Sequence, residues 1–322
     1  MIRRLVPLRF ALPVVLVILL VASVPALAFP PEKPYDPRPL TAEVEKKTST
    51  DQYTFIVMGD VKGGGGFDPL VAKCDSLAPT FVILTGDMVA SPGAKEYDRL
   101  EQQIGKFARK TPCWPCFGNH EGSGADALKY FTAFYGIDSR HFSFDFRNAR
   151  FIGVDAPDHS VPGPAELELL EQQLAAGQKA GKLLFVWQHC PPYTVGSKSK
   201  AECPNEPTAL TRLCQKYGVV AHFTGHDHIY YRTKRDGVNY IIQGVAGAGV
   251  YSLNRISEAI GDDISYGMVG QQAVLRGPAG EKTLPKPVFM LTLITVDGAK
   301  VTGKTMAADG QVYDEFTLHE GK

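Results

Sequence analysis

Five apolar stretches of this chain each stop at a cluster of glycine, aspartate, asparagine or histidine, and no other feature limits its fold so strongly. Tyr53-Thr-Phe-Ile-Val-Met58 runs into Gly59-Asp60, and Phe81-Val-Ile-Leu84 into Thr85-Gly86-Asp87. A short strand ends at Gly118-Asn119-His120-Glu121, and Leu183-Leu-Phe-Val-Trp187 ends at Gln188-His189. Val219–Phe223 leads into Gly225-His226-Asp227-His228. Apolar runs this short read as strands buried on both faces, the pattern of a parallel sheet covered by helices. Helices are predicted near 68–77, 94–109, 126–134, 165–178 and 207–216. The fourth carries Leu167, Leu169, Leu170 and Leu174 at helical spacing. Such a fold gathers its chemistry along the C-terminal edge of the strands.

The remaining segments complete one large domain. His141–Phe146 and Arg150–Val154 read as antiparallel strands, with further strands at 238–245, 287–296 and 311–318. Residues 255–285, rich in Gly, Ser and charge, read as a surface insertion. No second linker divides the chain, so the domain is assigned to 51–320. Residues 29–50 hold Pro30, Pro31, Pro34, Pro37 and Pro39 among charges and read as an extended, Pro-rich linker. Residues 1–28 read as a signal peptide: Arg3, Arg4 and Arg9, an apolar run from Ala11 to Val24, then Ala26-Leu27-Ala28. The apolar run is shorter than the ~20 residues of a bilayer span, which favours cleavage after Ala28 and a periplasmic or secreted protein; an uncleaved segment would leave it membrane-anchored.

Charge is balanced, 34 basic against 34 acidic residues, which argues against a protein built to hold nucleic acid. Removal of the three N-terminal arginines leaves a charge of −3, and no later apolar run suggests a membrane span. Oligomeric state is not legible. Six cysteines in an exported chain make disulfides plausible, with Cys190–Cys203 the favoured pair. Cys113-Trp-Pro-Cys116 has redox spacing, but it leads into the Asn119-His120 block rather than opening a helix, so a structural role is expected.

The strand ends supply Asp60, Asp87, Asn119, His189, His226 and His228. Oxygen donors suit hard divalent ions, and imidazole suits zinc, iron and manganese. Together they can build two adjacent metal sites, with Asp87 the simplest bridge.

Gly59-Asp60, Gly86-Asp87, Gly118-Asn119-His120-Glu121, His189 within Trp187-Gln-His-Cys-Pro-Pro192, and Gly225-His226-Asp227-His228 resemble the blocks of the calcineurin-like metallophosphoesterases. The resemblance covers roughly 53–320. It implies a four-layer α/β/β/α sandwich of two mixed sheets flanked by helices, with two metal ions (Fe, Zn or Mn) at the sheet edges. Gly225–Arg232 is also similar to the purple acid phosphatase branch. By position, one ion would take Asp87, Asn119, His189 and His226. The other would take Asp60, Asp87 and His228 plus one group, and there the chain departs. The family's Asp-x-His is Asp60-Val61-Lys62, and the alternative Tyr is replaced by Ala90. An ammonium has no lone pair to offer a metal. Lys62 therefore either serves phosphate beside a weakened site, leaving a single ion, or points to solvent.

The implied activity is that of an exported phosphomonoesterase, hydrolysis of a small-molecule phosphate ester by a metal-activated water, with His120 protonating the leaving group. The alternative is a metal- or phosphate-binding protein of the same fold that does not turn over. Asp227 is a candidate to orient a ligand histidine. His159, in the loop 156–164, and Tyr193 are weak candidates for substrate contact, as are Asn119 and Lys62. His222 reads as a core residue, and His141 and His319 as structural or exposed. The Gly63–Gly66 run lacks the ending of a P-loop and reads as a flexible loop.

Overall fold

The computed structural model describes residues 34–122 and 125–321, so the signal assigned to 1–28 lies outside the described residues. The chain runs α1 (Pro37–Lys47), β1 (Gln52–Met58), α2 (Phe67–Leu77), β2 (Phe81–Leu84), α3 (Ala94–Ala108), β3 (Cys113–Trp114) and α4 (Ala125–Tyr135). It continues through β4 (Phe142–Phe146), β5 (Ala149–Gly153), α5 (Pro164–Lys179), β6 (Leu183–Trp187), α6 (Ala209–Tyr217), β7 (Ala221–Thr224), β8 (Tyr230–Arg235) and β9 (Val238–Gln243). The last strands are β10 (Ile264–Val269), β11 (Gln272–Gly277), β12 (Gly280–Leu284), β13 (Met290–Asp297), β14 (Lys300–Ala307) and β15 (Val312–Glu320).

Two mixed sheets result, ordered β15-β14-β13-β1-β2-β3 and β12-β11-β10-β8-β9-β7-β6-β5-β4. In the first, β1, β2 and β3 are parallel; in the second, β5, β6, β7 and β9 are. The sheets meet through aromatic rings. Phe55 of β1 lies edge-on to Phe151, Phe185 and Phe223 of the second sheet, with centroids 5.3–5.9 Å apart, a favoured arrangement for buried rings. Helices α2 and α3 cover the first sheet with Leu70, Val71, Leu100 and Ile104. Helices α5 and α6 cover the second, packing Leu170, Leu174 and Leu210 on Ile152, Val154 and Val186. This is the expected four-layer sandwich. Of the leucines that marked α5, Leu169 faces solvent.

Two segments differ from expectation. Residues 34–50 are not an extended linker, because 37–47 form α1. The Asp36 side chain caps Arg38 N–H and Pro37 occupies the first turn, where a missing N–H costs nothing. The helix is tied to the domain by Trp114 Nε1 donating to Thr41 Oγ1 at 3.0 Å and Tyr35 Oη donating to Glu101 at 2.6 Å. Proline density masked a helix whose partners lie over 60 residues away. Residues 255–285 are not simply a loop, since β10, β11 and β12 form an antiparallel meander that widens the second sheet.

All six cysteines are buried free thiols, so the expected Cys190–Cys203 bridge is not formed. Cys190 Sγ instead donates to Pro157 O at 3.2 Å. Burial pushes the Cys113 and Cys116 thiols up, the reverse of what a reactive pair needs. Among the described residues no helix is long and apolar enough to cross a membrane.

Candidate metal centre

The parallel registers bring the strand ends to one level: Met58 lies opposite Leu84, and Trp187 opposite Phe223. Immediately beyond, Asp60, Asp87 and His226 adopt φ of 58°, 53° and 68°. That left-handed conformation is uncommon outside glycine and collects at functional sites. Each turn is locked by the others. Asp60 N–H donates to Gly86 O at 3.0 Å, Val61 N–H to Asp87 O at 2.9 Å, and Gly225 N–H to His189 O at 2.9 Å. The glycines permit the approach. A Cβ on Gly118 would lie 2.4 Å from Asp87 Oδ1, and one on Gly225 2.3 Å from Asp60 Oδ2.

Four acceptor atoms converge on one side of Asp87. His189 Nε2 lies 3.3 Å from Asp87 Oδ1 and 3.0 Å from Asn119 Oδ1. His226 Nδ1 lies 3.0 Å from Asn119 Oδ1 and 3.2 Å from His189 Nε2. The far ring nitrogens decide the tautomers. His189 Nδ1–H donates to Thr85 O at 2.8 Å, and His226 Nε2–H to Glu202 Oε1 at 3.2 Å. Each ring therefore turns its other nitrogen inward, the one available to a metal once deprotonated. Acceptors packed this closely repel unless positive charge lies among them, as a proton on His189 Nε2, which Asp87 favours, or as a metal ion that displaces that proton. Donors about 2.1 Å from a single zinc-like ion stand roughly 3.0–3.4 Å from one another, so the set fits a metal. Asp60, Asp87 and His189 also present ligand atoms within 4.8 Å of one another.

The electrostatics follow from burial and charge. Burial drives Asp60 well above the usual carboxylate range, with the Asp87 charge adding to it. Burial also acts to raise Asp87, but His189 and Lys62 outweigh it and hold that carboxyl far below its ordinary value. Burial lowers His226, and the neighbouring His189 lowers it further. Burial acts to lower His189 as well, but the Asp87 carboxylate outweighs it and pushes that imidazole up to about 9, so Asp87 is an anion that draws positive charge to this point, a proton on His189 when no ion is bound.

On the other side of Asp87 the arrangement is different. His228 Nδ1–H donates to Gly249 O at 2.8 Å, leaving Nε2 at 3.5 Å from Asp60 Oδ1 with no hydrogen-bond partner among the described residues. Lys62 does not point to solvent: its Nζ sits 3.0 Å from Asp87 Oδ2 and its side chain is 16% exposed. His120 stands at the mouth, 36% exposed, with Nε2 4.0 Å from Asp87 Oδ2 and Nδ1–H donating to Ala90 O at 2.7 Å. The structure therefore gathers Asp60, Lys62, Asp87, Asn119, His120, His189, His226 and His228. His159 is solvent-exposed on its loop with no bond to the cluster among the described residues.

Asp227 does not orient a histidine. Its buried carboxylate accepts from Thr194 Oγ1 at 2.7 Å and from Ser197 and Lys198 N–H at 3.3 and 3.4 Å. It thereby pins the loop that delivers Glu202 to His226. Arg255 braces the same loop, donating to Lys198 O at 3.0 Å and Cys203 O at 2.8 Å. Tyr193 stacks edge-on to Tyr240 in the core rather than facing the site. His222 is buried with neither ring nitrogen hydrogen-bonded among the described residues, and His141 pairs with Glu166 at 2.5 Å. The glycine run is a packed turn: Gly64 N–H donates to Val61 O at 2.7 Å, and Arg99 donates to Gly63 O.

Two further carboxylates escaped the sequence reading. Glu121 accepts from Asp87 N–H, Met88 N–H and Gly118 N–H at 2.8–2.9 Å, clamping two ligand loops together. Its place directly after Asn119-His120 was the available signal. Glu202, 24 residues before His226 in a polar loop, offered none.

The model of the calcineurin-like phosphoesterase family matches residues 53–230, more than half of the chain. No curated protein matches it. Among solved structures, the chain is similar to GAP50, the anchor in the inner membrane complex of Plasmodium. That likeness has 14% identity and a TM-score of 0.60, over 85% of this chain and 90% of that one. A dimetal phosphatase from Danio rerio is 14% identical with a TM-score of 0.49, over 72% of this chain and 98% of that one. The fold, the strand-end donors and the family match agree: this chain belongs to the calcineurin-like phosphoesterase family.

Proposed function

We propose that the protein is a metal-dependent hydrolase of small phosphate esters, with monoesters the first class to test. The observation that carries this reading is the convergence of Asp87 Oδ1, Asn119 Oδ1, His189 Nε2 and His226 Nδ1, four metal-ligating atom types, at 3.0–3.3 Å from one another. An ion of the zinc, iron or manganese class held there would bring the pKa of water toward neutrality and polarise a phosphoryl oxygen. The protein's own groups supply the rest. Asn119 is fixed between two histidines, and its amide nitrogen remains to face substrate oxygen. His120 has its ring set by Ala90 O and keeps Nε2 free at the mouth, where it can hold the proton that the leaving alkoxide needs. Lys62 places positive charge beside Asp87, where it can donate hydrogen bonds to phosphoryl oxygens. The Gly225–Arg232 stretch favours chemistry of the purple acid phosphatase kind, although Ala90 stands where that branch has its tyrosine.

A second reading is a binding protein without turnover, and the Lys62–Asp87 ion pair favours it, because that ammonium occupies space next to a shared carboxylate. The two separate in one experiment. Purified protein is loaded in turn with zinc, manganese or iron and assayed on p-nitrophenyl phosphate and bis(p-nitrophenyl) phosphate, beside Asp87→Asn. Metal-dependent hydrolysis should fall in the variant by more than the roughly 100-fold that loss of an outer partner costs a metal site. A rate that survives Asp87→Asn belongs to a contaminant. A metal-loaded protein inert on both esters supports the binding reading.

A further inference from the structure

We infer that the Lys62 ammonium occupies the first metal position, so that the centre takes one ion instead of two. This rests on the reading that the centre binds metal at all. The two oxygens of Asp87 have different company. Oδ1 faces His189 Nε2 at 3.3 Å and accepts His120 N–H at 2.8 Å. Oδ2, the oxygen on the side of Asp60 and His228, is 3.0 Å from Lys62 Nζ. Among the described residues it has no hydrogen-bond partner, so its close company is that ion pair.

The ammonium is held there by the backbone. Lys62 has φ 45°, and its N–H donates to Asp87 O at 3.1 Å, next to the Val61 N–H bond to the same carbonyl at 2.9 Å. The side chain thus leaves a turn that is already hooked to the residue its Nζ meets. It is largely buried, with little freedom to swing out.

The donors left for a second ion are poor in number and already engaged. Both Asp60 oxygens accept His226 N–H, at 2.9 and 3.0 Å. His228 Nε2 lies 3.5 Å from Asp60 Oδ1, which leaves three protein donors with Asp87 Oδ2 already taken. Ala90, which approaches through its carbonyl, gives that oxygen to His120. A dication among these groups would stand against an ammonium at contact distance from one of its own ligands. In a buried site such like-charge repulsion is weakly screened. The ammonium meets the same carboxylates with a single charge and three N–H donors. It therefore neutralises Asp87 and offers hydrogen bonds to a phosphoryl oxygen without acting as a Lewis acid.

The test measures metal directly. The purified protein is saturated with manganese, desalted, and analysed for metal per chain and by electron paramagnetic resonance. One ion with the six-line signal of an isolated Mn(II) is expected. In Lys62→His a ring nitrogen replaces the ammonium, so two ions with an exchange-broadened signal are expected. Lys62→Gln, nearly the same length with a neutral oxygen donor, should show a second ion at higher manganese. Two ions in the natural sequence overturn the inference. So does a single ion in both folded variants at all manganese concentrations, since Lys62 would then not be what excludes the second. No ion in the natural sequence overturns the proposed metal-dependent function instead.

Discussion

The two sides of Asp87 are built to different standards. On the Oδ1 side three of the four donors have a partner behind them: Thr85 O behind His189, Glu202 behind His226, and the His120 N–H on Oδ1 itself. On the Oδ2 side, His228 is braced by Gly249 O and stacked on Tyr251 with centroids 3.9 Å apart, but its inward nitrogen meets no donor, and a lysine occupies the centre. Preorganised donors bind a metal with little reorganisation, and outer partners set tautomer and ring direction. The difference teaches that one side of Asp87 presents donors with partners behind them, while the other side presents a fixed charge.

The largest expected effect that would break this contrast comes from His120, at the mouth between the two sides. His120→Ala should lower kcat on p-nitrophenyl phosphate by roughly 100- to 10,000-fold, the range of general acid catalysis, and leave metal content unchanged. The loss should grow on alkyl phosphates, whose leaving groups need the proton more. An equal loss on both substrates would make His120 a positioning residue.

A smaller effect is expected at Glu202. Its carboxyl is held down at about 2, since hydrogen bonds from Ser199 outweigh the effect of burial, so it presents a charged acceptor to His226 Nε2–H. Glu202→Ala should weaken metal binding by roughly 10- to 100-fold, measured by competition with a chromogenic chelator. Unchanged affinity would show that the two sides do not differ in their outer supports.

The smallest effect serves as a control. His222 sits on β7, four residues before His226, and belongs to neither side. Burial pushes it down to about 3. The unfolded chain, near the ordinary 6.5, takes up a proton that the native state refuses as pH falls below that value. Stability should therefore be lost from about pH 6.5 downward. His222→Phe should relieve about 2 kcal/mol of this at pH 5 relative to pH 8, read from urea denaturation at each pH. Metal content should not change. An equal shift at both pH values would mean that packing, not protonation, sets the cost.

Much of this architecture was legible because it is written locally. A buried strand needs a continuous apolar run, and a turn that brings donors together needs glycine beside them. Gly59-Asp60, Gly86-Asp87 and Gly225-His226 therefore marked both the strand ends and the ligands. Helix α1 was hidden because its prolines sit in the first turn and its anchors, Glu101 and Trp114, are distant in sequence. Asp227 was placed beside two ligands by sequence, yet a side chain between two neighbours on a tight turn faces the opposite way, toward Thr194 and the loop beyond it.

The sequence by itself determined the set of donor residue types and their place at the ends of parallel strands, since these follow from hydrophobic periodicity and turn chemistry over a few residues, whereas the order of layers was implied by the resemblance those blocks carry. Only the tertiary structure decided which way Lys62 turns, that Glu202 reaches His226, and that Glu121 ties the Asp87 loop to the Asn119 loop. Those contacts join residues 24 to 34 positions apart, or depend on one φ value at Lys62. Their energies arise from burial and charge that exist only once both sheets have closed around the site.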